Sequence, residues 1–197
     1  SCCGKRAGRT SLYDDFLKEF FPELFRGEMP DCQSKASALL QNIKNILDEI
    51  RIYRKIALGN WPYAEGQPVT GWDRNRLHVL VKFLSYDITL PILLAATKLD
   101  HRKYAQLVHA LEKFMFRYKT ICGNGHQVLS ELYNAEAKKI RNNPTGYSFA
   151  YLFTELRRLI AEKANDEVFK VQLKNLKYLP SGGNKSLRYF FSTLCDY

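Results

Sequence analysis

The run from Tyr104 to Gly123 is patterned as one amphipathic helix, and this pattern decides which fold class the chain can adopt. Its apolar side chains recur every three or four residues, which places them on one side of a helix: Tyr104, Leu107, Val108, Leu111, Met115 and Tyr118. The other side carries Arg102, His109, Lys113 and Arg117. The pattern predicts a helix with one face in a core, while its basic face is either an ordinary solvated surface or a binding surface.

Helical periodicity extends over most of the chain, and no stretch shows the convincing alternation of a strand. Thr10 or Ser11 can cap the first predicted helix. Pro91 suits the first turn of a short predicted helix that begins near it. The other predicted helices cover about residues 12–25, 34–58, 73–86, 101–120, 126–142, 149–160, 168–173 and 186–194. We therefore predict an all-α fold, an irregular bundle of about eight helices. Residues 1–11 are interpreted as a basic tail or linker, and residues 12–197 as one helical domain.

Two segments of the predicted bundle leave an alternative open. Between residues 34 and 58, heptad-like spacing joins Ala36, Leu39, Ile43, Ile46, Ile50, Tyr53 and Ala57. Because Leu40 and Leu47 widen this stripe, we favour a seam inside the bundle over a dimerising coiled coil. Residues 59–72 are predicted to form the one long loop, which carries Trp61, Tyr63 and Trp72. We expect these aromatic side chains to pin the loop to the domain, although they would also suit base stacking.

The positive charge is concentrated in the middle of the chain. The net charge is +10, but residues 1–100 carry fourteen Lys or Arg against twelve Asp or Glu, a net +2. Residues 101–164 carry eleven against five, a net +6. Clusters of this kind suit phosphate binding, although basic domains often bind no nucleic acid. The candidate nucleic-acid-binding residues are Lys113, Arg117, Lys119, Lys138, Lys139, Arg141, Arg157 and Arg158.

Composition narrows the class of protein. A hydrophobic content of 46% with 13% aromatic residues supplies a core and argues against disorder. The longest apolar run, Ile88–Thr97, is interrupted by Pro91 and is too short to span a bilayer, so we expect no membrane partner. The five cysteines lack the spacing of zinc ligands: Cys2, Cys3, Cys32, Cys122 and Cys195. The basic N-terminus lacks the apolar segment of a secretory signal. Together these features indicate a reducing cytoplasm.

Phe114-Met115-Phe116-Arg117-Tyr118, followed by Thr120-Ile121-Cys122-Gly123, forms the end of the predicted helix. Further blocks stand before and after it: Leu12–Phe16, Ile52–Ile56, Leu90–Ala96, Tyr133–Arg141 and Leu187–Phe191. In order and spacing, these blocks resemble the α-helical middle region of GmrSD-type, modification-dependent restriction endonucleases, over about residues 12–191. The family's N-terminal nucleotide-hydrolysing domain is marked by Asp-Gly-Gln-Gln-Arg, and this sequence contains no such motif.

The resemblance implies a non-catalytic middle region of a larger nuclease. Such a region would join the nucleotide-sensing domain to an HNH nuclease domain and contact the backbone of DNA, plain or modified. It would need no cofactor of its own. Asp100-His101 is the one superficial match to the nuclease motif, but it leads into a basic helix rather than a Pro-containing turn, so His101 is interpreted as a helix-start residue. No catalytic constellation is evident, so whether the chain belongs to an enzyme rests on the parent family. The alternative is a helical protein-interaction or assembly module whose basic face docks an acidic partner.

Three smaller features are interpreted structurally. Residues 180–186, Pro-Ser-Gly-Gly-Asn-Lys-Ser, resemble a phosphate-binding loop, but Asn184 interrupts the Gly-Lys-Ser order, so a turn and helix start is expected. His126 beside Asn124 is interpreted as a helix-terminal histidine rather than a metal ligand. Glu136 falls on the apolar side of its helix and needs a cation, for which we predict Arg117. That pairing would make Arg117 structural rather than DNA-contacting, and the sequence leaves both roles open.

Overall fold

The computed structural model describes residues 12–22, 26, 33–64 and 70–195. Within these ranges the chain contains nine α-helices and no strand, which confirms the all-α prediction. The helices are α1 Leu12–Phe20, α2 Gln33–Ala57, α3 Gly71–His78, α4 Leu90–Ala96, α5 His101–Met115, α6 Gln127–Asn142, α7 Ala150–Lys163, α8 Asp166–Lys174 and α9 Lys185–Cys195. Among the described residues, none of the helices combines the length and apolar character that crossing a membrane requires.

Several predictions concern residues outside these ranges. The proposed basic tail 1–11, the caps Thr10 and Ser11, and Cys2, Cys3 and Cys32 lie outside the described residues, as do the side chains of Trp72 and Cys195. The chain divides into two compact units, Ser1–Ile50 and Arg51–Tyr197, with the division inside α2. The expectation of one helical domain over residues 12–197 stays a prediction.

In the first unit, α1 carries a small aromatic group, and its C-terminal end is bonded to α2. The ring of Phe16 lies 5.2 Å from that of Phe20 and 5.6 Å from that of Phe21, centroid to centroid. The side-chain amide of Asn42 donates to the carbonyl oxygen of Phe20 at 3.3 Å. The ring contacts lie within the α1 segment, and the Asn42 bond joins that segment to α2.

The apolar stripe of α2 is more exposed than a bundle seam requires. Ile43, Ile50 and Tyr53 are 41%, 55% and 45% exposed, so the favoured seam prediction is wrong over this part of the helix. Burial begins only towards its C-terminal end, where Ile56 belongs to the core of the second unit and Ile52 packs against it. Periodicity reports which side chains share a face, but it does not report whether another element covers that face.

Helix α5 runs through the core of the second unit. Its predicted apolar stripe is confirmed, because all six side chains are buried: Tyr104, Leu107, Val108, Leu111, Met115 and Tyr118. Helix α3 packs against α5, and α4 packs closely against α6. The chain leaves α5 through a π-helical turn, Phe116–Ile121, in which the amide of Cys122 donates to the carbonyl of Arg117 at 3.1 Å. Gly123, with a φ of 69°, then ends the helix as predicted.

A buried ion pair links α3 to α5. The guanidinium Nη1 of Arg76 donates to Glu112 Oε1 at 3.0 Å, and the two side chains are only 5% and 2% exposed. Tyr189 on α9 lies near this pair, since burial together with the charge of Glu112 raises the pKa of Tyr189. The sequence offered a signal for this pair, since Glu112 follows Tyr104 and Val108 at eight and four residues on the apolar face.

We predict that Glu112→Ala lowers the free energy of unfolding by about 3–5 kcal/mol, because it removes the carboxylate that binds the buried guanidinium of Arg76. Urea unfolding of the variant and the parent chain measures this difference. Glu131→Ala on α6, an exposed position, serves as the control and should change stability by less than about 0.5 kcal/mol. The double variant Arg76→Met with Glu112→Leu should recover most of the loss, and equal losses in the single and double variants would contradict the account.

Candidate functional site

Three of the predicted basic residues meet at one groove. Lys113 and Arg117 come from α5 and its π-helical end, and Arg157 comes from α7. The groove lies between these two helices and encloses about 720 Å³. Its remaining lining is mostly apolar, and Asn165 and Asp166 line it as well: Ala110, Phe114, Phe153, Leu156, Ile160 and Ala161. The groove therefore combines an apolar floor with a basic rim, and it is the strongest candidate site in the described part of the chain.

Helical spacing explains why these side chains face one another. The lining residues of α5 and its continuation are separated by three and four positions, as are those of α7. Phe114 and Leu156 are buried and form the floor, whereas Lys113 and Arg157 are exposed at the rim. The walls extend over about two helical turns, or about 12 Å at 1.5 Å per residue.

Arg117 has a structural role at the end of this groove. Its Nε donates to the carbonyl oxygen of Ala164 at 2.7 Å, and its Nη2 donates to Asp166 Oδ1 at 2.7 Å. The guanidinium carbon also lies 5.0 Å from the centre of the Phe169 ring, a cation–π contact. The side chain thus fastens the end of α5 to the junction between α7 and α8, and the predicted pairing of Arg117 with Glu136 is wrong.

Glu136 is buried as predicted, with 1% exposure, but it has other partners. Lys139 Nζ donates to Glu136 Oε1 at 2.7 Å, and the hydroxyl of Tyr147 donates to Oε2 at 2.6 Å. Burial and the hydrogen bond to this carboxylate raise the pKa of Tyr147, so the phenol stays protonated. The ammonium of Lys139 also lies 4.2 Å from the centre of the Tyr151 ring. Lys139 is therefore committed to the fold rather than displayed as an independent charge.

The other predicted basic residues fall into two groups. Arg158 is bound on both sides along α7, with Nη2 at 2.8 Å from Glu155 Oε2 and Nη1 at 2.8 Å from Glu162 Oε1. Lys119 is half-buried, with its ammonium 5.8 Å from the centre of the Tyr86 ring. Lys138 and Arg141 are exposed on α6. The structure thus brings together only part of the predicted basic set, because carboxylates one turn away on the same helices neutralise other members.

The sequence pattern placed His109 on the basic face of α5, but its surroundings differ from that prediction. It is half-buried, and its Nε2 lies 2.6 Å from Asp73 Oδ1. The carboxylate of Asp73 also accepts hydrogen bonds from the backbone amide and the hydroxyl of Thr70. These bonds belong to the capping box at the start of α3. Burial would raise the pKa of Asp73, but the hydrogen bonds from His109 and Thr70 outweigh it and lower the pKa. The pair joins α3 to α5 beside the buried Arg76–Glu112 pair.

The other singled-out residues have structural positions. His101 begins α5, as expected, and its ring makes an edge contact with Tyr63 at 6.3 Å. The hydroxyl of Tyr63 donates to the carbonyl of Leu99 at 2.9 Å, which pins the loop to the domain as expected, and Trp61 packs edge-on against Tyr104 at 5.0 Å. These contacts occupy the described aromatic side chains of the loop.

The remaining turn motifs are also structural. Asn184 closes the segment before α9, since its side-chain amide donates to the carbonyl of Leu179 and its oxygen accepts from the amide of Leu179, both at 2.8 Å. The amide of Asn124 donates to the carbonyls of Tyr118 and Lys163, each at 3.1 Å. His126 is the exposed residue that precedes α6, as expected for a helix-terminal histidine. In the described ranges no three His, Cys, Asp or Glu residues form a group that could hold a metal ion.

No protein-family model matches this chain, and no curated protein matches it.

We predict that Glu136→Ala lowers the free energy of unfolding by about 1–3 kcal/mol, less than Glu112→Ala, because the substitution leaves only the Tyr147 hydroxyl partly buried without its acceptor. The ammonium of Lys139 is exposed and returns to water. Parallel urea unfolding of both alanine variants measures the difference. The double variant Glu136→Ala with Tyr147→Phe should recover part of the loss, and a loss for Glu136→Ala as large as that for Glu112→Ala would contradict the exposure-based argument.

Asp100 supplies a pH-dependent cap to α5. Its carboxylate accepts from the amides of Lys103 at 2.9 Å and Arg102 at 3.0 Å, and these bonds hold the pKa of Asp100 below its ordinary value of 3.8. Because the folded pKa is depressed, the stabilisation is complete well above pH 3.8 and is lost as the pH falls through the lower folded pKa.

We predict that Asp100→Ala lowers the free energy of unfolding by about 0.5–2 kcal/mol at neutral pH and that this difference shrinks in acid. Urea unfolding at a series of pH values from neutral to strongly acidic measures it. Asp100→Asn retains a capping oxygen without the titrating carboxyl, so it should lose little stability at neutral pH and show a weaker decline in acid. The same pH dependence in all three proteins would contradict the assignment.

Proposed function

We propose that this chain is a non-catalytic helical region of a GmrSD-like restriction or defence nuclease that acts in the cytoplasm. In this proposal it contacts the DNA backbone and couples a nucleotide-sensing domain to an HNH nuclease domain, both outside this sequence. The order and spacing of the blocks from Leu12–Phe16 to Leu187–Phe191 support the family. The proposal assigns no cofactor to this chain.

The observation that supports DNA contact is the exposed position of Lys138 and Arg141 on α6. They are three residues apart, so they lie on the same side of the helix and can approach neighbouring phosphates of one backbone. Lys139 and Arg158 are exposed as well, but carboxylates bind them, so they contribute less to such a surface. Arg141 also has a contact of its own within the chain, which makes Lys138 the stronger candidate of the two. We therefore expect phosphate contact to depend on where the exposed cations lie and on what already binds them rather than on the net charge of +10.

The alternative function, a helical protein-interaction or assembly module, is supported by the groove between α5 and α7. Its floor is apolar, and DNA phosphates offer nothing apolar to cover it. The two functions use different surfaces of the same chain, so one protein can carry both.

We predict that Lys138→Gln with Arg141→Gln weakens binding to all duplex sequences alike and reduces the salt slope by up to about 0.9 per lost phosphate contact. Fluorescence anisotropy of a labelled duplex at several salt concentrations measures both quantities, with plain and modified DNA compared. Lys139→Gln with Arg158→Gln removes the same charge, from α6 and α7, at positions where carboxylates bind the cation, and it is the control.

The control variant should bind DNA more tightly than the test variant. Equal weakening in both would show that total charge, rather than the position and the partners of individual cations, determines binding. Parent chain that does not bind at low salt would refute DNA contact, and it would leave the alternative function to be tested at the groove.

A further inference from the structure

We propose that an exposed apolar face of α2 in the first unit binds the same face of a second copy of this chain. This α2 face consists of Leu40, Ile43, Leu47 and Ile50, which are 57%, 41%, 48% and 55% exposed. The pairing is independent of the proposed DNA contact, because it uses another surface and holds whether or not Lys138 binds phosphate.

The spacing of the α2 face is that of a helix seam. Its four side chains are separated by three, four and three positions, so they form one continuous stripe with the a and d spacing of a heptad repeat. Leu39 and Ile46 beside the stripe are half-buried, so its open side is the one that carries Leu40 and Leu47. The heptad-like spacing of this segment has two explanations, a seam inside the bundle or a coiled coil between copies. The exposure excludes the first over this stretch, and the second remains.

The first unit has little apolar core of its own. Among its residues whose side chains the structure describes, Phe21 is the only buried apolar one, at 9% exposure. On α1 the rings of Tyr13, Phe16 and Phe20 are also exposed, at 66%, 39% and 37%. A helical unit of fewer than about 70 residues rarely supplies a sufficient core, and association between copies is one remedy. Burial of the α2 face against another copy would supply apolar contacts that this unit lacks.

The charge of this segment favours a second copy over a polyanion or a membrane surface. Residues 37–50 carry one Lys against one Asp and one Glu, a net −1 in a chain of net +10. Two copies that meet here avoid the like-charge repulsion that the basic segment 101–164 would produce. DNA phosphates are not attracted to such a segment, and an interfacial membrane helix would need a polar face rich in Lys and Arg. A heptad stripe is complementary to itself, so another α2 fits it.

The full chain is tested by sedimentation equilibrium at total concentrations from about 1 µM to about 200 µM. We expect the weight-average mass to rise with concentration from the 22.9 kDa of one chain to twice that value or more. Higher salt should preserve or strengthen the association, because it screens the repulsion between two chains of charge +10 without weakening apolar contacts. DNA binding, in contrast, weakens as salt rises.

Three double variants connect the association to the α2 face. Ile43→Lys with Leu47→Lys places two charges on the face and should raise the dissociation constant by about tenfold or more. Gln41→Lys with Asn45→Lys adds the same charge at the same spacing on the opposite side of α2, and it is the matched control. The control should stay within about twofold of the parent. Leu40→Ala with Leu47→Ala retains good helix formers and should also weaken association by about tenfold.

Circular dichroism and urea unfolding establish that each variant is folded. A parent chain that stays monomeric at every concentration and salt would overturn the pairing. Equal weakening by both lysine pairs would overturn it as well, because added charge rather than the α2 face would then control association. So would a folded alanine variant that associates like the parent but unfolds more easily, since the face would then be covered within the chain. Loss of association with DNA binding retained would place the two functions on separate surfaces.

Discussion

The candidate site depends on the way Arg117 closes the end of α5. Its guanidinium reaches the carbonyl of Ala164 and the carboxylate of Asp166, each at 2.7 Å, and lies beside the ring of Phe169. Residues 164–166 lie at the junction between α7 and α8, so this side chain helps to set where α7 ends relative to α5. The amide of Asn124 does the same through the carbonyls of Tyr118 and Lys163. Because the groove is the space between those helices, these bonds shape it at this end. A lysine in place of Arg117 could not bind the Ala164 and Asp166 oxygens in the same planar arrangement.

The structure also explains why a basic segment need not be a continuous basic surface. Residues 101–164 have a net charge of +6, yet Lys139 and Arg158 bind carboxylates three or four residues away on their own helices. Such pairs contribute little to stability at exposed positions, but they reduce the positive potential that an approaching polyanion meets. The other exposed bases of this segment are spread over several places: Lys113 and Arg157 at the groove rim, Lys138 and Arg141 on α6, Arg102 in the first turn of α5 and Lys163 at the end of α7. The distribution of acids, rather than the number of bases, decides where an anionic partner can bind.

Sequence periodicity predicted the helices well because the core is built from long, regular stripes. The stripe of α5 is buried at every predicted position, and Gly123 ends the helix where expected. The burial of Glu136 followed from its position on an apolar face, but its partner did not, because a partner depends on which helices become neighbours. The groove itself was hidden for the same reason: Lys113 and Arg157 are far apart in sequence and meet only through packing. Glu112 was detectable by the argument used for Glu136.

The bonds that Arg117 makes within the fold limit what it can offer a ligand of the groove. Two of its five N–H donors bind the Ala164 carbonyl and Asp166 Oδ1, so a carboxylate that took over these donors would loosen the junction that shapes one wall of the groove. Arg157 is exposed at the rim, so an anion can approach it without breaking those bonds. We therefore expect any anionic ligand of the groove to lie towards Arg157, with its apolar part over Phe153 and Ile160.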